Sequence, residues 1–338
     1  MGLFPFAFVI ALLAAAPQPS AAEPVNQQPF DQQPVNQQPV NQQPVDQQPV
    51  DQQPVSEESF QQLLLTADIP ELRQACIEAA SFALAERQQL LRDRLLEIHP
   101  RPESLDRVLA NAEALLVCRS GDGARVVLSR YIPGDADERR RWLLMSWQAA
   151  DAALDHPRAA LALRRLVNGN IAALDREQLP KAGAFVASET RVGVNGLDQL
   201  ATHEAHAGDV VSAASVLLSG QASGAVAARR LGRAAELLAE TDAERADQLL
   251  ELALEQVVGD EAWGLAVELL RLQLRLQLAA GGDGERPRQR LERLTARLDD
   301  GYSVWLLQGS GEPDPSLRSP REPGGHAAVE DTPAQPSP

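Results

Sequence analysis

Residues 197–218 read LDQLATHEAHAGDVVSAASVLL. Leu197, Leu200 and Ala201 recur at helical spacing, with Glu204 one turn further on. Gly208-Asp209 then interrupts, and Ala213 and Leu217 restart the pattern. A glycine after a periodic run stops a helix, and an aspartate starts the next. The stretch therefore predicts two short helices, 196–207 and 209–218, joined by a tight turn.

The same punctuation recurs on both sides of this pair. Turn residues stand at Asp155-His156-Pro157, Gly169, Gly220, Gly259-Asp260 and Gly281-Gly282. Between them the apolar pattern predicts helices at 135–154, 157–167, 222–239, 242–257, 260–279 and 284–298. Upstream, Ser56 followed by Glu57, Glu58 and Ser59 has the form of an N-cap with an acidic first turn. From Leu72 the apolar residues Cys76, Ala79, Ala80, Ala83, Leu90, Leu91, Leu95 and Ile98 predict one long helix ending at His99-Pro100. Ser104 then caps a helix through Leu116.

Three stretches are ambiguous. Residues 114–131 carry a hairpin signal at Asp122-Gly123 and the β-branched pair Val126-Val127, against a reading as two short helices, which is preferred. Residues 180–195 lack helical periodicity and predict a loop with a little strand. Leu270, Leu272, Leu274, Leu276 and Leu278 alternate with Arg and Gln, a period of two. Leu, Arg and Gln are strong helix formers, and Trp263, Val267, Leu270 and Leu274 continue a helical face. A helix buried on two sides is the expectation.

Composition agrees with a helical core. The chain has 338 residues, 44% hydrophobic but only 4% aromatic, so Leu, Ala and Val fill the interior. The formal charge of −16 is unevenly spread. Residues 1–72 hold eight acidic residues and no Lys or Arg; residues 309–338 hold five acidic and two basic, leaving −5 for 73–308. No basic stripe is visible in the sequence, which argues against nucleic acid or an anionic membrane surface as partner. Lys181 is the one lysine beside thirty arginines, a bias that a GC-rich genome explains.

The flanks differ from the middle. Leu3 to Ala16 is an apolar run, followed by PQPSAAE with small residues at Ser20 and Ala22. This predicts a signal peptide over 1–22, although its start lacks Lys and Arg. Fourteen residues rise only ~21 Å, short of a ~30 Å hydrocarbon core. Residues 24–53 contain six copies of P-[VF]-[ND]-Q-Q. Proline every fifth residue excludes helix and sheet, so 23–55 is expected to be an extended linker reaching at most ~90 Å. Residues 309–338, rich in Pro, Gly and Ser, are expected to be a disordered tail. The expected domain is 56–308.

Export would permit a disulfide between Cys76 and Cys118. On the two arms of a hairpin turning near Pro100, however, they would sit at heights differing by ~9 Å, too far to bridge. They are therefore expected to be two small buried hydrophobes.

Candidate chemical motifs fall short. His203-Glu204-Ala205-His206 places histidines at i and i+3, one short of the zinc-protease spacing. In Gly220-Gln221-Ala222-Ser223-Gly224 the serine is one place late for a nucleophile elbow. Gly281-Gly282-Asp283-Gly284 lacks the remaining ligands of a calcium loop. Trp142 and Trp147 either frame a concave surface or, the preferred reading, are core. No catalytic, cofactor-binding or metal-binding residues are assigned, and no cofactor is expected.

The pair at Leu197, Leu200, Ala201 and Glu204, Gly208-Asp209, then Ala213 and Leu217, resembles one tetratricopeptide repeat. The resemblance extends over about residues 135–300. The related turns start 53 and 51 residues apart, from Asp155 to Gly208 and from Gly208 to Gly259, against 34 in that family. The usual closing proline is missing and the aromatic positions are mostly Leu or Ala. The resemblance implies an α-solenoid that binds proteins or peptides. The expected fold is thus mainly α, an irregular array of helical hairpins or an α-bundle. The expected role is a non-enzymatic protein-binding or scaffold module of the cell envelope, periplasmic or extracellular, with another envelope protein or a peptide as partner. Two alternatives are an α-superhelical cell-wall-acting enzyme and a spacer tethered to a membrane by an uncleaved signal.

Overall fold

A computed structural model describes residues 54–102, 104–180 and 193–308. The signal-peptide and repeat-linker readings over residues 1–53 and the tail reading over 309–338 lie outside the described residues, as does the segment 181–192.

The described chain is mainly α. Its helices are α1 (Glu57–Thr66), α2 (Ile69–Ser81), α3 (Ala85–Glu97), α4 (Leu105–Val117), α5 (Gly121–Leu128), α6 (Ala136–Ala152) and α7 (His156–Leu166). After a 3-10 turn (Ile171–Arg176) come α8 (Gly196–His206), α9 (Val210–Leu218), α10 (Gly224–Leu238), α11 (Ala243–Gly259), α12 (Trp263–Ala279), α13 (Glu285–Arg297) and α14 (Gly301–Gln308). Strands β1 (Gln178–Pro180) and β2 (Gly193–Asn195) pair antiparallel, with Leu179 opposite Val194. That is the little strand expected at 180–195. No helix among the described residues is long and apolar enough to cross a membrane.

Residues 114–131 form the end of α4 and α5 rather than a hairpin. The alternating leucines after Trp263 lie in α12, where Leu269, Leu270 and Gln273 are buried and Leu278 is exposed. Helix α14 was not read from the sequence; at eight residues its apolar run is too short to show a period.

Substantial packing joins helices one or two places apart along the chain, from α1 on α2 and α3 to α13 on α14. This is the contact pattern of helix pairs stacked in series. Two apolar cores result. One gathers Phe60, Leu72, Leu91, Leu95, Leu115 and Leu128; the other gathers Trp147, Leu163, Leu197, Leu200, Leu249 and Leu270. Helix α6 belongs to both, through Ala149 in the first and Trp147 and Ala150 in the second.

One turn recurs throughout. Helices α2, α4, α6, α7, α8, α11, α12 and α13 each end with a left-handed residue two places past the last helical one. The following N–H then bonds back to a carbonyl five residues earlier, as in Asp155 N to Ala150 O and Asp209 N to Glu204 O. These are Schellman closures. Only Gly208 and Gly281 are glycines; Ala83, Arg119, Leu154, Asn168, Glu261 and Asp299 occupy the same conformation with φ of 51–57°. Asp155 and Asp209 follow at once and cap the next helix on the N–H of Arg158 and Ser212.

This turn corrects the expected long helix over 72–98. Ala83 adopts φ +54° and Leu84 N bonds Ala79 O, so the chain breaks into α2 and α3. Ala and Leu carry no stop signal, which is why periodicity ran through the break. The break also corrects the cysteine reading. With α2 separate from α3, α2 packs on α4, and Cys76 meets Cys118 at the end of α4 with Cα atoms 5.0 Å apart. The two form a buried disulfide.

Two outcomes test these features. The bridge closes a loop with a sequence separation of 42, which the chain-entropy relation values at about 4 kcal/mol. Urea unfolding of a Cys76→Ala/Cys118→Ala protein is expected to show a loss of roughly 2–5 kcal/mol; a loss below ~1 would contradict the assignment. Leu154 is 73% exposed at φ +56°, so Leu154→Gly relieves ~1–2 kcal/mol of backbone strain. Against that stands ~0.5–1 kcal/mol of added chain entropy, and a small rise in Tm is expected.

Candidate functional site

Helix α6 sends side chains in two directions. Trp147 and Asp151 face α8, while Trp142, Leu143, Ser146 and Ala150 line a cleft between α5, α6 and α7.

The buried side is a chain of hydrogen bonds. Trp147 Nε1 donates to His203 Nε2 at 3.0 Å, and His203 Nδ1 lies 3.2 Å from His156 Nδ1. An indole can only donate, so His203 Nε2 is the unprotonated nitrogen and Nδ1 carries the proton. His203 therefore donates to His156, whose Nδ1 accepts. His206 is exposed and stacks its ring 4.7 Å from that of His156. His203 is 1% exposed, and burial, followed by the neighbouring His156 and His206, pushes its pKa down from 6.5 to about 4. Protonation would place two donors face to face at Trp147. Asp151, 3.9 Å from His203 Nε2, has its carboxyl pushed up by burial. Glu204 is buried, accepts from Arg164 Nε at 2.7 Å, and is pushed up by burial against the opposing pull of that arginine.

This geometry decides the histidine motif. A metal-ligating histidine donates its second nitrogen to a neighbour, whereas both nitrogens of His203 are engaged, one as acceptor. His203 and Glu204 point inward and His206 outward, so the structure divides the motif between core and surface. Gly220 to Gly224 forms the approach to α10, where Gly224 N donates to Gln256 Oε1. Gly281 to Gly284 is the turn into α13, where Asp283 accepts from the N–H of Glu285.

The open side is a groove. A cleft of about 480 Å³ has an apolar floor of Val126, Leu128, Trp142, Leu143, Leu161 and Ala162, edged by Arg125, Arg158 and Arg165. A neighbouring cleft of about 520 Å³ shares Trp142, Leu143 and Arg165 with it and adds Ile132, Pro133, Arg139 and Arg164. Trp142 is fixed there by its Nε1 donating to Leu128 O at 3.0 Å. Ile132 is 89% exposed and Val126 and Leu161 are also exposed, so apolar surface is clustered. Arg125 and Arg158 both hold Asp155, and Arg164 holds Glu204. Among the described residues, Arg139 and Arg165 have no acidic partner. The two tryptophans thus have different fates: Trp147 is core, and Trp142 lines the groove. The sequence did not single the groove out. Its signal, Arg158, Leu161, Ala162 and Arg165 on one face of α7, becomes visible only once α5 and α6 are placed beside it.

The chain matches no protein-family model, and no curated protein is significantly similar to it. The site therefore has to be read from its own geometry.

The histidine chain carries a pH signature. A folded pKa of about 4 against 6.5 means that the unfolded chain binds the extra proton between those values. The stability it protects is fully present above pH 6.5 and falls through that window, by about 3 kcal/mol in all. His203→Gln keeps an acceptor for Trp147 and removes the titration. Between pH 7.5 and 4.5 the unaltered chain is expected to lose roughly 2–3 kcal/mol more unfolding free energy than the variant; equal losses would reject the assignment.

Proposed function

We propose that the chain is a non-enzymatic protein-binding module whose groove takes an acidic segment of a partner protein anchored by apolar side chains. The observation that carries this reading is two arginines without an acidic partner among the described residues, Arg139 and Arg165, over an apolar floor containing Trp142 and Ile132. Arginine forks match carboxylates bidentately, and the floor offers a pocket for one or two large apolar anchors. The surrounding helical region is net acidic, so a long polyanion would be repelled beyond the groove and a short acidic stretch would not.

The serial helix pairs support a repeat-protein binding mode. The tetratricopeptide-like reading of α8 and α9 is supported by the Gly208-Asp209 closure and by Ala213, fully buried where the second helix packs. The buried Cys76–Cys118 bridge supports an oxidising compartment, hence an exported chain in the envelope or outside the cell. A catalytic reading gains less. The groove's carboxylate, Asp122, is ion-paired to Arg125 at 2.8 Å and its side chain is 82% exposed, unlike a poised general acid.

Panning a random displayed-peptide library against the folded chain tests the proposal. Enriched peptides are expected to join Asp or Glu with Leu, Phe or Trp, and to lose binding at least tenfold to the Arg139→Glu/Arg165→Glu chain. Enrichment of basic peptides, or binding indifferent to that change, would overturn it.

A further inference from the structure

A second cleft, remote in sequence from the groove, likewise sets arginines beside exposed apolar surface. It lies between α11, α12 and α13 and has a volume of about 290 Å³. Val258 and Trp263 line it while 60% and 39% exposed, with Leu254, Leu270 and Leu294 beside them. Arg290, Arg293 and Arg297 edge it from α13. Arg290 is held by Glu251 at 2.8 Å. Arg293 makes only a hydrogen bond to Gln289 O, and among the described residues neither Arg293 nor Arg297 has an acidic partner.

The local charge is unusual for this chain. Residues 285–297 carry five arginines and two glutamates, net +3, in a protein of net −16. Residues 309–338 carry five acidic and two basic residues, net −3. They continue directly from α14, which itself packs on α13. Within them, Ala327-Ala328-Val329-Glu330-Asp331 sets a small apolar run beside two carboxylates. From Gln308 to Val329 is 21 residues, and at ~3.3 Å each the chain spans up to ~70 Å, ample to return to α13. Tethering supplies an effective concentration on the order of millimolar, so a weak contact suffices.

We infer that residues 327–331 dock in the α11–α13 cleft, with Val329 on the Val258–Trp263 floor and Glu330 and Asp331 against Arg293 and Arg297. The docked segment covers an exposed tryptophan and neutralises two arginines. The inference is independent of the groove: none of its residues lines that site.

A charge-preserving probe tests it in the full chain. Arg293→Lys places an amine in the cleft, and a zero-length carbodiimide joins it to any carboxylate it touches. The expected product is monomeric, with position 293 joined to Glu330 or Asp331 by peptide mass mapping. Adding Val329→Ser or Arg297→Gln is expected to cut that yield at least fivefold while circular dichroism stays unchanged. Three results would overturn the inference. The first is cross-links confined to neighbouring helices. The second is cross-linked dimers, which would give the cleft to a second copy. The third is a yield indifferent to both changes, which is chance encounter of a tethered segment.

Discussion

In a serial array each junction between helix pairs must hold by itself, because a repeat packs on its neighbours alone. The junction between α6–α7 and α8–α9 depends on the hydrogen bond from Trp147 Nε1 to His203 Nε2. That bond reaches past α7 to tie α6 directly to α8, and it fixes the tautomer that lets His203 donate to His156 at the start of α7. Three helices are thereby clamped by two bonds in a site nearly closed to water, where an unmade bond costs more than a made one gains. The groove depends on the same clamp. Trp142, Leu143 and Ala150 hold their places in its wall because α6 is fixed on its other face.

Other junctions are held by charge. Arg230 of α10, 6% exposed, reaches Asp198 of α8 at 2.8 Å and Asp175 of the 3-10 turn at 2.6 Å. Gln273 of α12, fully buried, donates to Asp247 and Glu251 of α11. Asp260, in the turn after α11, accepts from the N–H of Ala225 at the start of α10. Where one partner is buried, as at Arg230 and Gln273, such contacts add little net stability, yet removing the other partner strands it at a cost of several kcal/mol. Their contribution is to fix register, since apolar faces of Leu and Ala alone would tolerate sliding. Gly232 shows the geometric counterpart: an added Cβ would lie 2.7 Å from Leu269 Cδ2, so α10 and α12 cross where there is no side chain.

Much of the helical layout was legible where two local signals agreed at a boundary. The predicted helices 196–207 and 209–218 differ from α8 and α9 by one residue at most, since Gly208 closes one helix and Asp209 opens the next. Ser56 and Ser104 cap α1 and α4 as read, through the N–H groups of Ser59 and Arg107. Where a left-handed closure falls on Ala83 the signal vanishes, and periodicity alone predicts one long helix in place of two. The disulfide was lost by the same error, because its geometry depends on that break. The groove was illegible for a different reason. Arg139 and Arg165 are ordinary surface arginines in sequence, and their lack of partners is a property of which helices lie opposite them.

Charge is what separates this chain from a plain helical scaffold. Its acidity is concentrated in the segments flanking 73–308, and several of its arginines meet carboxylates across helix junctions. At the edge of the α5–α7 groove and of the α11–α13 cleft, arginines with no acidic partner among the described residues adjoin exposed apolar residues. An arginine left without a partner in a chain with a surplus of carboxylates gains nothing for folding, because water solvates it as well unfolded as folded. Under the proposed binding role, an arginine beside apolar surface gains selectivity: it favours carboxylate-bearing segments over purely apolar association. The surplus of acid elsewhere then acts as a filter. Under the proposed binding role, it repels polyanions from the body of the chain and leaves short acidic segments to clefts where arginine and apolar surface coincide.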